Sequence, residues 1–269
     1  ENNRLNLTFL DDVLRQGAGP YFDLMNVHYF DFYRYNWPSP TNGLRGKIDA
    51  VKGIMAGRGV VKPVLVTELG FPYAGTTGAS HQANSQYVIK GNLQALAEGV
   101  PIIIWYQMID SAPDPGLYGL MTWAGQSNAG LDAYARLIAE LRGFNRAGYY
   151  SDPGCYECEL HQFTLGPGGR KKIVGWFKHP DGVAPLTISA GKVRIVSRTC
   201  PTSDECAPYG ESWITDGGAG DYDGKVNGKV QLRLTLDPIF VEDYTGITPT
   251  PSPYERAPAL LVYGAVTPA

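Results

Sequence analysis

The segment 62–72 reads KPVLVTELGFP, apolar at successive positions from Val64 to Val66, with one carboxylate, Glu68, near its end. A strand that is apolar at every position is covered on both faces, the condition of a strand inside a parallel sheet. Parallel strands need crossover connections, usually helices. The chain supplies them. Residues 101–106 (PIIIWY) repeat the all-apolar pattern, and 22–28 (FDLMNVH) read as another strand. Residues 46–56 place Ile48, Val51, Ile54 and Met55 at helical spacing before Gly57. Residues 80–98 carry Tyr87, Val88, Leu93, Leu96 and Ala97, and 131–141 carry Leu131, Tyr134, Leu137, Ile138 and Leu141, as two further helical faces. Thr8-Phe9-Leu10-Asp11 resembles a capping box and predicts an opening helix that ends before Gly17. The order is one helix and then three strand–helix units, an α/β pattern.

After residue 146 the texture changes. Strands are expected at 161–165, 172–177, 186–189, 193–197 and 230–236, with a glycine-rich turn at 166–169. This predicts a small antiparallel β-sandwich domain over 146–246. The remainder, 247–269, contains Thr-Pro-Thr-Pro-Ser-Pro and reads as a linker or tail. All four cysteines fall in the second half, as Cys155/Cys158 and Cys200/Cys206. Close pairs among Tyr, Pro and Asp loops favour disulfides in an exported, extracellular or cell-surface protein. A four-sulfur zinc site is the competing reading, for which the second spacing is loose. The acidic run 216–223 looks like a calcium loop, but its spacing does not match the EF-hand, and a glycine-rich hairpin accounts for it as well. No metal and no cofactor are expected.

A net charge of -3 provides no basic field, which argues against nucleic acid as a partner. No run approaches the roughly 20 apolar residues of a membrane span. The 17 tyrosines, 5 tryptophans and 33 glycines suit loops that receive carbohydrate, and equally suit a β-rich extracellular fold. Chemistry is more legible at the strand ends, where parallel α/β folds place their functional groups. One strand runs out at His28-Tyr29-Phe30-Asp31, the next at Thr67-Glu68-Leu69-Gly70, the third at Trp105-Tyr106-Gln107 and on to Asp110. Singly, each has an ordinary explanation: an ion-pair partner, a core histidine, a core tryptophan. Three in succession on one rim is harder to explain that way.

This order of strand-His-Tyr, strand-Thr-Glu-x-Gly and strand-Trp resembles strands six, seven and eight of the TIM-barrel retaining β-glycosidases, clan A, similar to families 5 and 39. KPVLVTELGFP is similar to the strand that holds their nucleophile, and GVPIIIWYQMID to strand eight. Gly119-Leu120 followed by Leu131-Asp132-Ala133-Tyr134 resembles their closing helix. The resemblance covers residues 5–145. It implies the C-terminal portion (strands 6–8) of a (β/α)8 TIM barrel over 1–145, followed by the β-sandwich. It also implies retaining hydrolysis of an oligo- or polysaccharide by two carboxylates about 5–5.5 Å apart, with Glu68 as nucleophile. His28 and Tyr29 would support Glu68, and Trp105 would stack under the sugar. Tyr106, Gln107 and Asp110 would contact hydroxyls, with Trp37 and Tyr73 further out.

Two departures stand out. Adjacent His28 and Tyr29 face opposite ways along a strand, so they cannot both point inward unless the strand has ended or bulged. The family's acid/base is an Asn-Glu pair, and this chain has no Asn-Glu dipeptide. With three of eight strands present, the expectation is that 1–269 is the C-terminal part of a longer protein whose acid/base lies upstream. A second reading is a non-catalytic, glycosidase-like protein that binds carbohydrate or serves as a cell-surface structural component. A third puts function in the β-domain, with Tyr149, Tyr150, Tyr156, Trp176 and Trp213 as a sugar-binding face.

Overall fold

A computed structural model describes residues 7–30, 43–74, 80–111, 116–155, 157–166, 169–179, 182–200 and 205–243. Trp37, Asp31, Tyr156 and the segment 244–269 lie outside the described residues. The first half runs α1 (Leu7–Arg15), β1 (Met25–Phe30), α2 (Leu44–Gly57), β2 (Val64–Gly70), α3 (His81–Ala97), β3 (Ile103–Trp105) and α4 (Ala129–Leu141). β1, β2 and β3 form a parallel sheet in that order. Thr8 lies inside the first turn of α1 and so is not its cap. Real caps are found elsewhere. Ser80 accepts the Ala83 N–H at the start of α3, and Asn128 accepts the Gly130 and Leu131 N–H groups at the start of α4.

The second half adds β4 (Asn145–Tyr149), β5 (Cys158–Thr164), β6 (Lys171–Phe177), β7 (Ala184–Ile188), β8 (Lys192–Ser197), β9 (Gly210–Thr215), β10 (Val230–Leu234) and β11 (Ile239–Asp243). Six of these strands form one antiparallel sheet, ordered β4-β5-β6-β11-β8-β9, and β10 pairs with β7 in a second. The large sheet is covered on both sides. One face sends Leu160, Ile173, Val193, Ile195, Ile239 and Val241 against Leu186, Ile188, Val230, Leu232 and Leu234 of the small sheet. The other sends Phe163, Val174, Trp176, Val196 and Phe240 into one core with Tyr87, Ile89 and Leu93 of α3.

That same core contains Val66, Leu69 and Trp105 of the parallel sheet, so α3 is a shared layer between the two sheets. Its continuous burial from Asn84 to Leu93 follows, as a helix enclosed on all sides must be buried on all sides. Three polar members of α3 are paired across the junction: Gln82 to Asp237, Gln94 to Glu159, and Ser85 as acceptor from Arg198. On α4, Glu140 is bonded to Lys172 (2.6 Å) and Arg194 (2.8 Å) of the large sheet.

Disulfides join Cys155 to Cys158 and Cys200 to Cys206, so the four sulfurs are not a zinc site. The acidic run near β10 is occupied by main-chain donors. Asp216 accepts from Asn227 and Gly228, Asp221 from Gly217 and Gln231, and Asp223 from Lys225. It organises turns. Among the described residues no helix is long and apolar enough to cross a membrane.

Candidate active site

β1 alternates strictly. Val27 and Tyr29 are buried towards the helices, while Asn26 and His28 are exposed on the other face. β2 does not alternate. The register runs Val27 to Val66 and then His28 to Glu68, so Thr67 is an extra residue, a β-bulge. The consequence is geometric. Val66 and Leu69 both remain in the helix-side core, and Thr67 and Glu68 both fall on the opposite face. A regular strand would have sent one of them into the core.

On that face the side chains form a connected set. Glu68 Oε2 lies 3.1 Å from His28 Nδ1, and these side chains are 37% and 47% exposed. His28 Nε2 lies 3.2 Å from Asn26 Nδ2. Asn26 Oδ1 accepts from the Thr67 N–H at 3.2 Å and from the Thr67 hydroxyl at 2.6 Å. Lys47 of α2 donates to the His28 carbonyl at 3.3 Å, and burial lowers its ammonium below the ordinary lysine range.

Beyond these, at the C-terminal end of the sheet, Phe30, Tyr106 and Tyr118 meet edge to face, with centroids 5.3–5.7 Å apart. Gly70 permits this closure. A Cβ there would stand 2.8 Å from the Tyr106 carbonyl oxygen and 3.0 Å from the Phe30 ring. The Tyr106–Gln107 peptide is cis. Chemically, the face offers an accessible carboxylate held by a neutral or cationic imidazole, beside an aromatic wall. It sits at the strand ends of a parallel sheet.

No protein-family model matches the sequence, and no curated protein does. Solved structures match strongly. A family 39 glycoside hydrolase from the gut symbiont Bacteroides cellulosilyticus WH2 aligns with a TM-score of 0.62, over 88% of this chain and 47% of its own, at 15% identity. An alpha-L-arabinofuranosidase from Thermotoga maritima, in an arabinose complex, aligns with a TM-score of 0.60 over 88% of this chain and 55% of its own, at 14% identity. The GH51 arabinofuranosidase from Xanthomonas axonopodis pv. citri gives 0.59 over 88% and 56%, also at 14%. The fold is that of the clan A glycoside hydrolases. This chain spans about half the length of these structures.

Within the glycoside hydrolase fold, the structure brings His28 and Glu68 together and separates the other expected residues. Tyr29 is 3% exposed and packs on Tyr87 from the helix side, so of the adjacent pair only His28 faces the site. Trp105 is 7% exposed, sits opposite Leu69 in the register, gives its indole N–H to the Tyr118 carbonyl and packs near Tyr87 of α3. Tyr106, one residue on, joins the aromatic wall instead.

Asp110 is also internal. Its Oδ1 accepts the Gly119 N–H at 2.8 Å and its Oδ2 the Tyr73 hydroxyl, so it pins the loop after β3 to the loop after β2. Gln107 is partly buried and donates to Ser111. Trp37 lies outside the described residues.

Among the described residues, the aromatics expected as a β-domain sugar face do not share one surface. Trp176 is buried against His161, while Tyr149 and Trp213 lie on β4 and β9, opposite edges of the six-stranded sheet. At ~4.8 Å per strand, five spacings put them roughly 24 Å apart. Sequence reasoning missed Asn26, Thr67 and Phe30. Asn26 and Phe30, two residues to either side of His28, were within reach of simple alternation along β1, while Thr67 depends on the bulge.

Proposed function

We propose that this chain carries the nucleophile half of a retaining glycoside hydrolase active site. On this reading, residues 1–145 are strands six to eight of a (β/α)8 barrel, 146–246 a β-sandwich domain and 247–269 a linker or tail. The observation that carries it is the His28–Glu68 pair, set by the bulge on the open face at the strand ends. Glu68 attacks the anomeric carbon, the glycosidic oxygen leaves with a proton from a second carboxylic acid, and water then cleaves the glycosyl ester. His28 donates to one oxygen of Glu68, which orients the carboxylate and leaves the other oxygen to attack. Phe30, Tyr106 and Tyr118 shape the wall beside the sugar. The acid/base belongs to chain outside residues 1–269, as do the strands that would complete the barrel.

The substrate is a β-linked oligo- or polysaccharide and the protein is exported, with its two disulfides supporting that location. The β-linkage rests on the sequence resemblance. The fold leaves it open, since the similar structures include α-L-arabinofuranosidases.

The test is Glu68→Gln in the full-length protein. Hydrolysis should fall by at least about 1,000-fold with sugar binding retained, and a fluorinated glycoside should label Glu68. Undiminished hydrolysis in that variant refutes the assignment. Sugar binding with no hydrolysis in the wild type would favour the non-catalytic reading.

A further inference from the structure

The bulge at Thr67 has a chemical consequence for His28. An extra residue in a strand leaves its backbone groups out of the ladder, and the Thr67 N–H is instead taken by the side chain of Asn26, at 3.2 Å. A backbone N–H can only donate, so the Asn26 atom facing it is the amide oxygen. The Thr67 hydroxyl, 2.6 Å from the same oxygen, adds a second donor. The other end of the amide is therefore NH2, and it lies 3.2 Å from His28 Nε2. An amide nitrogen also only donates. His28 Nε2 must receive it with a lone pair, and the single proton of the neutral ring then sits on Nδ1, 3.1 Å from Glu68 Oε2.

We propose that Asn26 is a positioning residue that holds His28 as the neutral Nδ1–H tautomer and so aims an uncharged donor at Glu68. All links then run one way: Thr67 donates to Asn26, Asn26 to His28, and His28 to Glu68. A doubly protonated ring would set its Nε2–H against the Asn26 NH2. Turning the amide over would set that NH2 against the Thr67 N–H. Among the described residues, the ring meets Asn26 on its own strand and Glu68 from β2, and the ammonium of Lys47 from α2 binds the His28 carbonyl.

The catalytic consequence rests on the glycosidase reading, whereas the tautomer does not. A nucleophilic carboxylate loses its charge as it forms the glycosyl ester. An imidazolium partner would bind the charged ground state most tightly, and that attraction would be lost on the way to the ester. A neutral donor orients Glu68 at a smaller loss. By excluding the second proton, Asn26 keeps Glu68 reactive.

The test uses the full-length protein with 15N-labelled histidine and long-range proton–nitrogen correlations of the His28 ring. At neutral pH the wild type should show a protonated Nδ1 and an unprotonated Nε2. Asn26→Asp still accepts from Thr67 but puts an acceptor opposite Nε2. It should protonate both ring nitrogens, move the pH profile of kcat and lower kcat by ~10–100-fold, the scale of losing an orienting partner of a functional histidine. An Nε2–H tautomer in the wild type overturns the proposal without any variant having to fold. So does an Asn26→Asp ring spectrum unchanged from wild type. A protonated ring in that variant with an unaltered kcat and pH profile overturns the positioning role. Absence of hydrolysis in the wild type, with the ring tautomer as stated, would count against the glycosidase reading and leave the tautomer standing.

Discussion

Lys90 is fully buried in the middle of α3, its ammonium 5.6 Å from the centroid of the Trp176 ring. Burial lowers its pKa to about 7 from an ordinary 10.5, with Asp237 and Glu159 opposing the shift. Between those values the unfolded chain binds a proton that the folded one does not, so the contribution of Lys90 to stability rises with pH across this window and is flat below and above it. Lys90→Met should therefore stabilise the protein at pH 7, by about 1–4 kcal/mol as for other buried charges replaced by apolar groups of similar size. The gain should shrink as the pH approaches 10.5. Thermal melts of both forms at neutral and alkaline pH decide it, and an equal gain at both would rule out the burial penalty as the cause. The same scale explains what could be read at the site. Glu68 was visible because a carboxylate ending an all-apolar run is chemically conspicuous. Trp105 and Tyr29 lie in the core, a placement that composition does not reveal, because only the phase of an aromatic ring along its strand says which face it takes.

At the scale of elements, the three parallel strands and their helices were legible because burial on both faces leaves an unmistakable apolar run. β4, β9 and β11 were not. β4 (NRAGY) and β9 (GESWIT) are edge strands with polar sequences, and β11 (IFVED) is a five-residue strand with only three apolar residues in succession. The bulge was invisible too, since Val-Thr-Glu-Leu is an ordinary strand sequence and the slip is set by the partner strand and by Asn26. Helix α4 was expected from Leu131, yet it begins at Ala129 behind Asn128. That asparagine does two jobs: its oxygen caps the helix, and its NH2 donates to the Gly119 carbonyl at 2.8 Å. Asn128→Ala should cost about 1–2 kcal/mol, the upper part of the range for a lost cap. Urea denaturation measures this. A loss of only a few tenths would mean that neither bond contributes.

The whole molecule is held by layers that share members rather than by two separable cores. α3 touches both sheets, and α4 is fastened to the large sheet through Glu140, 5% exposed and bonded to Lys172 and Arg194 at 2.6 and 2.8 Å. Burial alone would raise the pKa of this carboxyl. Arg194 and Lys172 outweigh it and hold the group at about 2, against an ordinary 4.5. The sign follows from proton counting. Between about 4.5 and 2 the unfolded chain takes up a proton that the folded one refuses, so the stability Glu140 contributes is full above 4.5 and disappears as the pH falls towards 2. A shift of this size corresponds to about 3 kcal/mol. Glu140→Gln should be destabilised by up to roughly that amount at pH 7, because Lys172 and Arg194 lose their nearest anion in a buried site, keeping only Glu242 at 3.4–3.5 Å and, for Arg194, Glu211 at 2.9 Å. Its stability curve should lack the wild-type decline below pH 4.5, so the two curves converge near pH 2. Denaturation midpoints of both proteins from pH 7 to pH 2.5 test this, and parallel curves over the whole range would show that Glu140 is not held ionised by its partners in the folded protein.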